Sequence, residues 1–331
     1  MNFIFDIRKI ILVVVLGLFY SCSSQKEKEV LRLEGFVFGT TYHITLLHDT
    51  SISFQKSIDS LFDSVNNALS TYIPTSAISK INSGDTTIVV DPYFREVLQK
   101  SKRIFKETDG FFDPTVGHLV NAWGFGPEKS KIQLDSALVL KKMELVGLDK
   151  ISLDKGKLKK DYPGMYLDFN SIAKGFGVDV VGRFLESKNC TNYLVEIGGE
   201  IRTRGKNAKG KRWRVAIENP NTDGTQTFYT TLELSNESMA TSGNYRKYRI
   251  TDSGQKYVHT VNPKTGFATE SNLLSATVIS ELDCADVDAY ATAFMAMGVL
   301  SVQEFLKTHT TLKVLLIYVA EDGSMQEFKN F

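Results

Sequence analysis

Apolar positions along the chain follow two different periods, and the switches between them outline the fold. In "FQKSIDSLFDSVNNALS", Phe54, Ile58, Leu61, Phe62, Val65 and Leu69 recur at the spacing that gathers them on one helix face. "YFREVLQKSKRIFKET" repeats this with Phe94, Val97, Leu98 and Phe105. A further helix from Ile172 to Ser187 carries Ile172, Phe176, Val180, Phe184 and Leu185. The segment "LDCADVDAYATAFMAMG", Leu282 to Gly298, is apolar almost all round, the mark of a helix buried on every side. Strand patterns read at "TYHITLL", "NYLVEI", "RWRVAIE", "FYTTLEL", "NLLSATVI" and "TLKVLLIYV". Between residues 190 and 280 they follow one another through Gly- and Asn-rich turns. Gly198-Gly199, inside Glu196 to Glu200, suits a tight primed turn. Strands in runs with helices segregated from them predict an α+β fold, rich in antiparallel sheet, in one large domain or two intimate subdomains.

The all-round apolar helix contains an anomaly. Asp283 is placed as an N-cap, and Asp286 lies in the first turn, where negative charge suits the helix dipole. Asp288 lies beyond that turn, and Thr292 stacks above it four residues later. A carboxylate and a hydroxyl on one face of a buried helix offer two oxygen ligands to a hard cation. A buried acid paired to Lys or Arg is the alternative.

Length and composition place these elements in a large globular chain. It has 331 residues, 42% hydrophobic and 23% charged, enough for a sizeable core. Lys+Arg 39 against Asp+Glu 38 leaves no basic excess that would point to nucleic acid as a partner. The N-terminus stands apart. Arg8 and Lys9 precede an apolar run from Ile10 to Tyr20 and then Ser21-Cys22, the shape of a secretory leader with a lipoprotein cysteine. Residues 1–21 are read as signal peptide, Cys22 as the lipidated first residue and 22–34 as a tether, with the folded unit at 35–331. An ordinary signal peptide or uncleaved anchor is the plainer alternative. Cys190 and Cys284, the cysteines left in the mature chain, read as buried small hydrophobes rather than a disulfide framework.

Several loops could carry chemistry. "GFFDPTVGHLVNAWGFGP", Gly110 to Pro127, is dense in glycine and aromatics, with Asp113 held extended by Pro114. It can offer a planar ligand an aromatic wall and a fixed acceptor, or be a structural loop. "LDFNSIAKGFGVD" enters a helix through small residues, with Lys174 and Gly175 where a phosphate could sit on free N–H groups. The GxxxxGK[ST] spacing of a P-loop is missing. "YVHTVNPKTG" puts His259 before a Pro-Lys-Thr-Gly turn, and "ATSGNYRKY" is a small-residue turn that lets backbone approach a ligand. No zinc spacing, GxSxG elbow or GxGxxG fingerprint is present.

Taken in order, "FGTTYHI", "STYIPTSAISKIN", "GFFDPTVGHLVNAWGFGP", "LDFNSIAKGFGVD", "YLVEIGGEIRTRG", "ATSGNYRKY", "HTVNPKTG" and "DAYATAFMAMG" resemble the ApbE family of FAD:protein FMN transferases. The resemblance runs from about Gly35 to Gly298. It implies an ApbE-like fold, FAD as substrate and a divalent metal, normally Mg²⁺. It also implies transfer of FMN to a threonine or serine hydroxyl of a target protein, with release of AMP. The targets it implies are threonine-bearing subunits of membrane redox complexes, reached from a lipid anchor outside the cytoplasm. Asp288, Thr292 and the Ala173 carbonyl are the implied metal ligands. Phe38 and Tyr72 are implied near the flavin, Phe111, Phe112 and Asp113 along the ligand, and Asn170 and Lys174 near the phosphates. The backbone around Val261 is implied as a further contact.

Departures from the family pattern refine these expectations. Phe38 stands where many members have Met, and either packs on a flavin ring. Asn170-Ser171 replaces a common Gly-Gly, altering how the backbone meets the phosphates. Asn262 replaces a frequent Asp, and an amide cannot act as a base, which leaves His259 as the candidate to take the acceptor's proton, with Lys174 stabilising charge. FAD hydrolysis to FMN and AMP, and non-catalytic FAD binding, are the competing readings.

Overall fold

The structure, a computed structural model, describes residues 29–48, 53–127, 134–220, 225, 227–244, 248–250, 256–268 and 272–331. The leader, Cys22 and the first part of the tether lie outside the described residues. Among those described, no helix is long and apolar enough to cross a membrane.

A largely antiparallel sheet forms the centre, in the order β1-β2-β5-β6-β9-β12-β13-β14. Its strands are β1 (Glu29–Val37), β2 (Thr40–His48), β5 (Tyr193–Ile197), β6 (Glu200–Arg204), β9 (Ser238–Gly243), β12 (Leu273–Ser280), β13 (Lys313–Val319) and β14 (Met325–Lys329). Strand alternation decides what each face meets. In β12 and β13, Ala276, Val278, Val314 and Leu316 join the main core, while Ile279, Leu315 and Ile317 face the other way. The hairpin β7 (Trp213–Glu218) and β8 (Phe228–Leu234) covers that second face with Val215, Ile217 and Leu234. Both faces of β12 are therefore buried, which explains its unbroken apolar run.

Helices cover the first face: α1 (Gln55–Leu69), α2 (Ala77–Asn82), α3 (Pro92–Glu107), α6 (Ala173–Ser187) and α7 (Cys284–Met297). Ile58, Phe62, Val65, Phe94, Val97 and Leu98 pack into one core, as their spacing predicts. The all-round apolar helix is α7, with Val287, Ala289, Ala291 and Phe294 all fully buried. A separate apolar cluster joins α4 (Gly117–Ala122) and α5 (Ser136–Met143) to the segment around Val261 and Ala268. The remaining elements are the hairpins β3 (Ile151–Asp154) with β4 (Lys157–Lys160) and β10 (Tyr248–Ile250) with β11 (Lys256–Val258), and the helix α8 (Val299–Leu306).

Two expectations change. β1 begins at Glu29, so residues 29–34, assigned to the tether on their polarity, form a strand paired with β2. Its alternating exposure marks an edge strand with one wetted side, which composition alone reads as linker. Asp283 occupies the N-cap position of α7, but its side chain makes no capping bond. Asp179 of α6 caps the helix instead, accepting from Cys284 N and Ala285 N at 2.8 Å each. Asp283 is drawn away by Lys100, Arg183 and Arg202, each at 2.8 Å. Cys190 and Cys284 are both buried.

Candidate active site

One end of the sheet gathers the chemistry-bearing segments. The β1–β2 turn, with Phe38 (φ 51) and Gly39 (φ 76), lies there beside the β5–β6 turn. Gly198 (φ 62) and Gly199 (φ 104) make the latter the primed turn expected, and a Cβ on Gly198 would meet Thr40 at 2.6 Å. The end of β9, at Ser242, lies at the same end. Helices α6 and α7 meet beneath. Gly175 permits that contact, because a Cβ there would stand 2.4 Å from the Cys284 carbonyl oxygen.

At this junction Asp288 accepts a hydrogen bond from Gly175 N at 3.0 Å, two residues into α6 from Ala173. Asp288 is fully buried; burial first, and then the nearby Glu200 charge, push its carboxyl up to about 8. Lys174 pairs with Glu200. Burial opposes the ammonium charge, but Glu200 and then Asp288 hold its pKa above the ordinary value. The second oxygen of Glu200, Oε2, is buried and has no hydrogen-bond partner among the described residues. Two carboxyls therefore face one ammonium, and the shortfall of positive charge is what a bound cation would supply. Thr292 stands one turn beyond Asp288 on α7, its Oγ1 3.3 Å from Ser242 Oγ. Among the described residues no three His, Cys, Asp or Glu side chains are grouped to hold a metal. One carboxylate, one hydroxyl and one backbone carbonyl is a different donor set. Being all oxygen, it fits a hard cation rather than zinc.

Phe38 is half-buried, edge-on to Phe62 at 5.7 Å, and a Cβ on Gly177 would strike its ring at 2.4 Å. The turn is thus pinned against α6. Tyr72 is 60% exposed, and its hydroxyl is raised above the usual value by partial burial and by Asp168. Asp168 accepts from Asn170 N at 2.8 Å, and Asn170 Nδ2 lies 3.3 Å from Thr71 Oγ1. Tyr72 and Asn170 are therefore brought to one place, where α6 begins.

The aromatic loop divides. Phe111 is half-exposed with the Lys264 ammonium 5.6 Å from its ring centre, whereas Phe112 is 1% exposed inside the main core. Asp113 is buried and accepts from Thr115 N at 2.8 Å and Thr115 Oγ1 at 2.6 Å. Burial lifts its carboxyl to about 6 against these bonds, so its side chain serves the loop's own turn. Val261 is buried against α4 and α5. His259 is half-buried, and its neighbour Thr260 donates to Asn244 Oδ1 at 2.8 Å, two residues past Ser242. Residues 245–247 of the small-residue turn lie outside the described set. In the sequence Glu200 reads only as the end of a turn. An acid directly after Gly198-Gly199, where a strand begins, is the available signal.

The ApbE family model matches residues 38–316. The chain is 39% identical to an FAD:protein FMN transferase of Haemophilus influenzae, over 90% of this chain and 89% of that protein. It is 35% identical to the corresponding Vibrio cholerae protein, over 94% of each. Its fold superimposes on the solved flavin transferase ApbE from Vibrio cholerae with a TM-score of 0.81 at 34% identity, covering 92% of this chain and 97% of that one. The Pseudomonas stutzeri flavinyl transferase ApbE matches with the same TM-score at 27% identity. The α6–α7 junction and the turns around it therefore belong to a chain that is a member of the ApbE family.

Proposed function

We propose that this chain transfers FMN from FAD to a threonine or serine hydroxyl of an acceptor protein in a Mg²⁺-dependent reaction that releases AMP. The observation that carries the reading is the excess of buried carboxyl over ammonium at the α6–α7 junction: Asp288 and Glu200 against Lys174 alone. Asp288, Thr292 and the Ala173 carbonyl would hold the ion. Bound there, Mg²⁺ supplies neutralising charge to a pyrophosphate.

The chain's own groups do the remaining work. Glu200 fixes Lys174, whose ammonium offers charge to the phosphate oxygens without being free to swing into solvent. Asn170, at the approach to α6, is placed to meet the same phosphates. Phe38 and Tyr72 offer ring faces to the flavin, and Phe111 continues that wall. His259 takes the proton as the acceptor oxygen bonds to the FMN-side phosphorus. The bond from that phosphorus to the AMP oxygen breaks, and AMP leaves. Cys22 would carry the lipid that holds the enzyme at a membrane outside the cytoplasm. The acceptor would be a flavin-carrying subunit of a membrane redox complex.

The test is to incubate the chain beginning after Cys22 with FAD, Mg²⁺ and a threonine-bearing flavoprotein subunit, then weigh the acceptor intact. An FMN-sized gain, abolished by EDTA and matched by AMP, is expected. FMN and AMP without labelling would instead mark a hydrolase, and intact bound FAD a binding protein. His259→Ala should lower transfer by about 10²–10⁴-fold and leave residual activity.

A further inference from the structure

β1 ends the central sheet: among the described residues its one strand neighbour is β2. The pairing runs without a bulge from Glu29↔His48 to Val37↔Thr40, and β1 contains no proline. A long, regular edge of this kind invites another strand. Which backbone groups face outward can be read from β2. Gly198 N donates to the Thr41 carbonyl at 3.1 Å, and Leu47 N to the Asn192 carbonyl at 2.9 Å, so Thr41 and Leu47 turn their backbone groups toward β5. Their partners in β1 are Phe36 and Val30. By the alternation of an antiparallel ladder, the N–H and C=O groups of Val30, Arg32, Glu34 and Phe36 all point away from the sheet.

The side chains of this edge are incompletely covered on both faces. Val30 is 37% and Phe36 86% exposed, with Arg32 and Glu34 exposed between them. On the opposite face Leu31 and Leu33 reach the main core but stay half-buried.

We infer that β1 pairs antiparallel with β1 of a second copy of this chain, joining the two central sheets edge to edge across a twofold axis at Leu33. Charge sets the register. With the axis at Leu33, Arg32 stands opposite the partner's Glu34, and Glu34 opposite the partner's Arg32. Val30 and the partner's Phe36 cover one another, and Leu33 meets the partner's Leu33 on the core face. Every outward-facing residue then lies opposite another, so the backbone groups of all four are paired. A slip of two residues sets Arg32 against Arg32 in one direction and Glu34 against Glu34 in the other, and like charges directly opposite are destabilising. A slip of one residue sets exposed side chains against core-facing ones. In the favoured register the partner's Glu29 falls opposite Val37, so each chain enters the joined sheet beside the other's Phe38 turn.

The experiment oxidises the full-length chain carrying Leu33→Cys and separates it without reductant. On the axis, the residue's Cα lies about 4.5 Å from its symmetry mate, within the span of a disulfide. Cys190 and Cys284 are buried and do not compete. A cross-linked dimer is expected. Leu31→Cys, roughly 13 Å from its own mate along the partner strand, should not cross-link. Adding Glu34→Arg to Leu33→Cys should lower the cross-linked fraction by about tenfold, and adding Arg32→Glu as well should restore it. Light scattering on chains without the new cysteine serves if Leu33→Cys fails to fold: two copies for the wild type, one for Glu34→Arg, two again for the charge swap. A wild type that stays a single copy, cross-linking at Leu31 in place of Leu33, or a dimer indifferent to Glu34→Arg overturns the inference. Leu33→Cys found linked to a different protein would mark a foreign strand as the occupant and overturn it as well.

Discussion

The first residues of α7 hold acids in opposite electrostatic settings. At its N-terminus Asp283 meets Lys100, Arg183 and Arg202, and Asp286 meets Arg103 at 2.7 Å and Lys100 at 3.1 Å. Burial would raise the Asp283 carboxyl, but these cations hold it well below the usual carboxylate range. One turn further on, Asp288 has one backbone N–H and shares Lys174 with Glu200. An acid surrounded by guanidinium is part of the scaffold. A buried acid short of positive charge is where the proposed cation would act. The difference lies in the neighbours, since all three residues are aspartate.

Removing each acid or its partner should separate the two regions. Asp288→Ala should reduce Mg²⁺-dependent FMN transfer by about 10³-fold or more, read from acceptor labelling, while leaving the protein folded. Retained transfer with unchanged Mg²⁺ dependence would sink the assignment. The same residue predicts a pH effect on stability without added Mg²⁺. Its folded pKa of about 8 lies above an unfolded value near 3.9, so the folded chain holds the proton more tightly. The stability it contributes is present below about pH 4 and is lost as pH rises toward 8. Asp288→Asn should therefore gain melting temperature relative to wild type across that range, and parallel curves would count against it.

Arg202→Met attacks the scaffold end instead. It leaves Asp179 buried without its guanidinium partner at 2.7 Å, and should cost about 3 kcal/mol in urea unfolding. Mg²⁺ affinity of the surviving folded enzyme should change little. A stable variant with weakened Mg²⁺ binding would show that the two regions are one. Glu200→Gln should have a smaller effect: it keeps a bond to Lys174 but removes charge, weakening Mg²⁺ binding by about 10-fold with little loss of stability. Smallest of all, Lys264→Ala breaks an exposed pair with Asp109 and should shift stability by less than about 1 kcal/mol.

The helices that line the core were legible because amphipathic spacing is a local property: Phe54 through Leu69 and Phe94 through Phe105 pack as their periods require. The turn at Gly198-Gly199 was legible for the same reason, since positive φ at consecutive residues is written in residue type. Asp283 was not, because a helix start in sequence cannot reveal that Asp179, 104 positions earlier, will take the capping bonds. Glu29 to Glu34 reads as a polar tether until β2 is beside it.

By itself the sequence determined the class of fold, the family order of motifs and the placing of Asp288 and Thr292 on one helix face. Those follow from periods of two and three to four residues and from residue chemistry. Tertiary structure alone decided which acids are neutralised. Arg202 spans α6, β6 and α7 to complete one cluster, while Lys174 and Glu200 are brought to Asp288 only when α6 packs through Gly175 onto α7. Charge balance in a buried site is a sum over neighbours from distant parts of the chain, and only packing makes them neighbours.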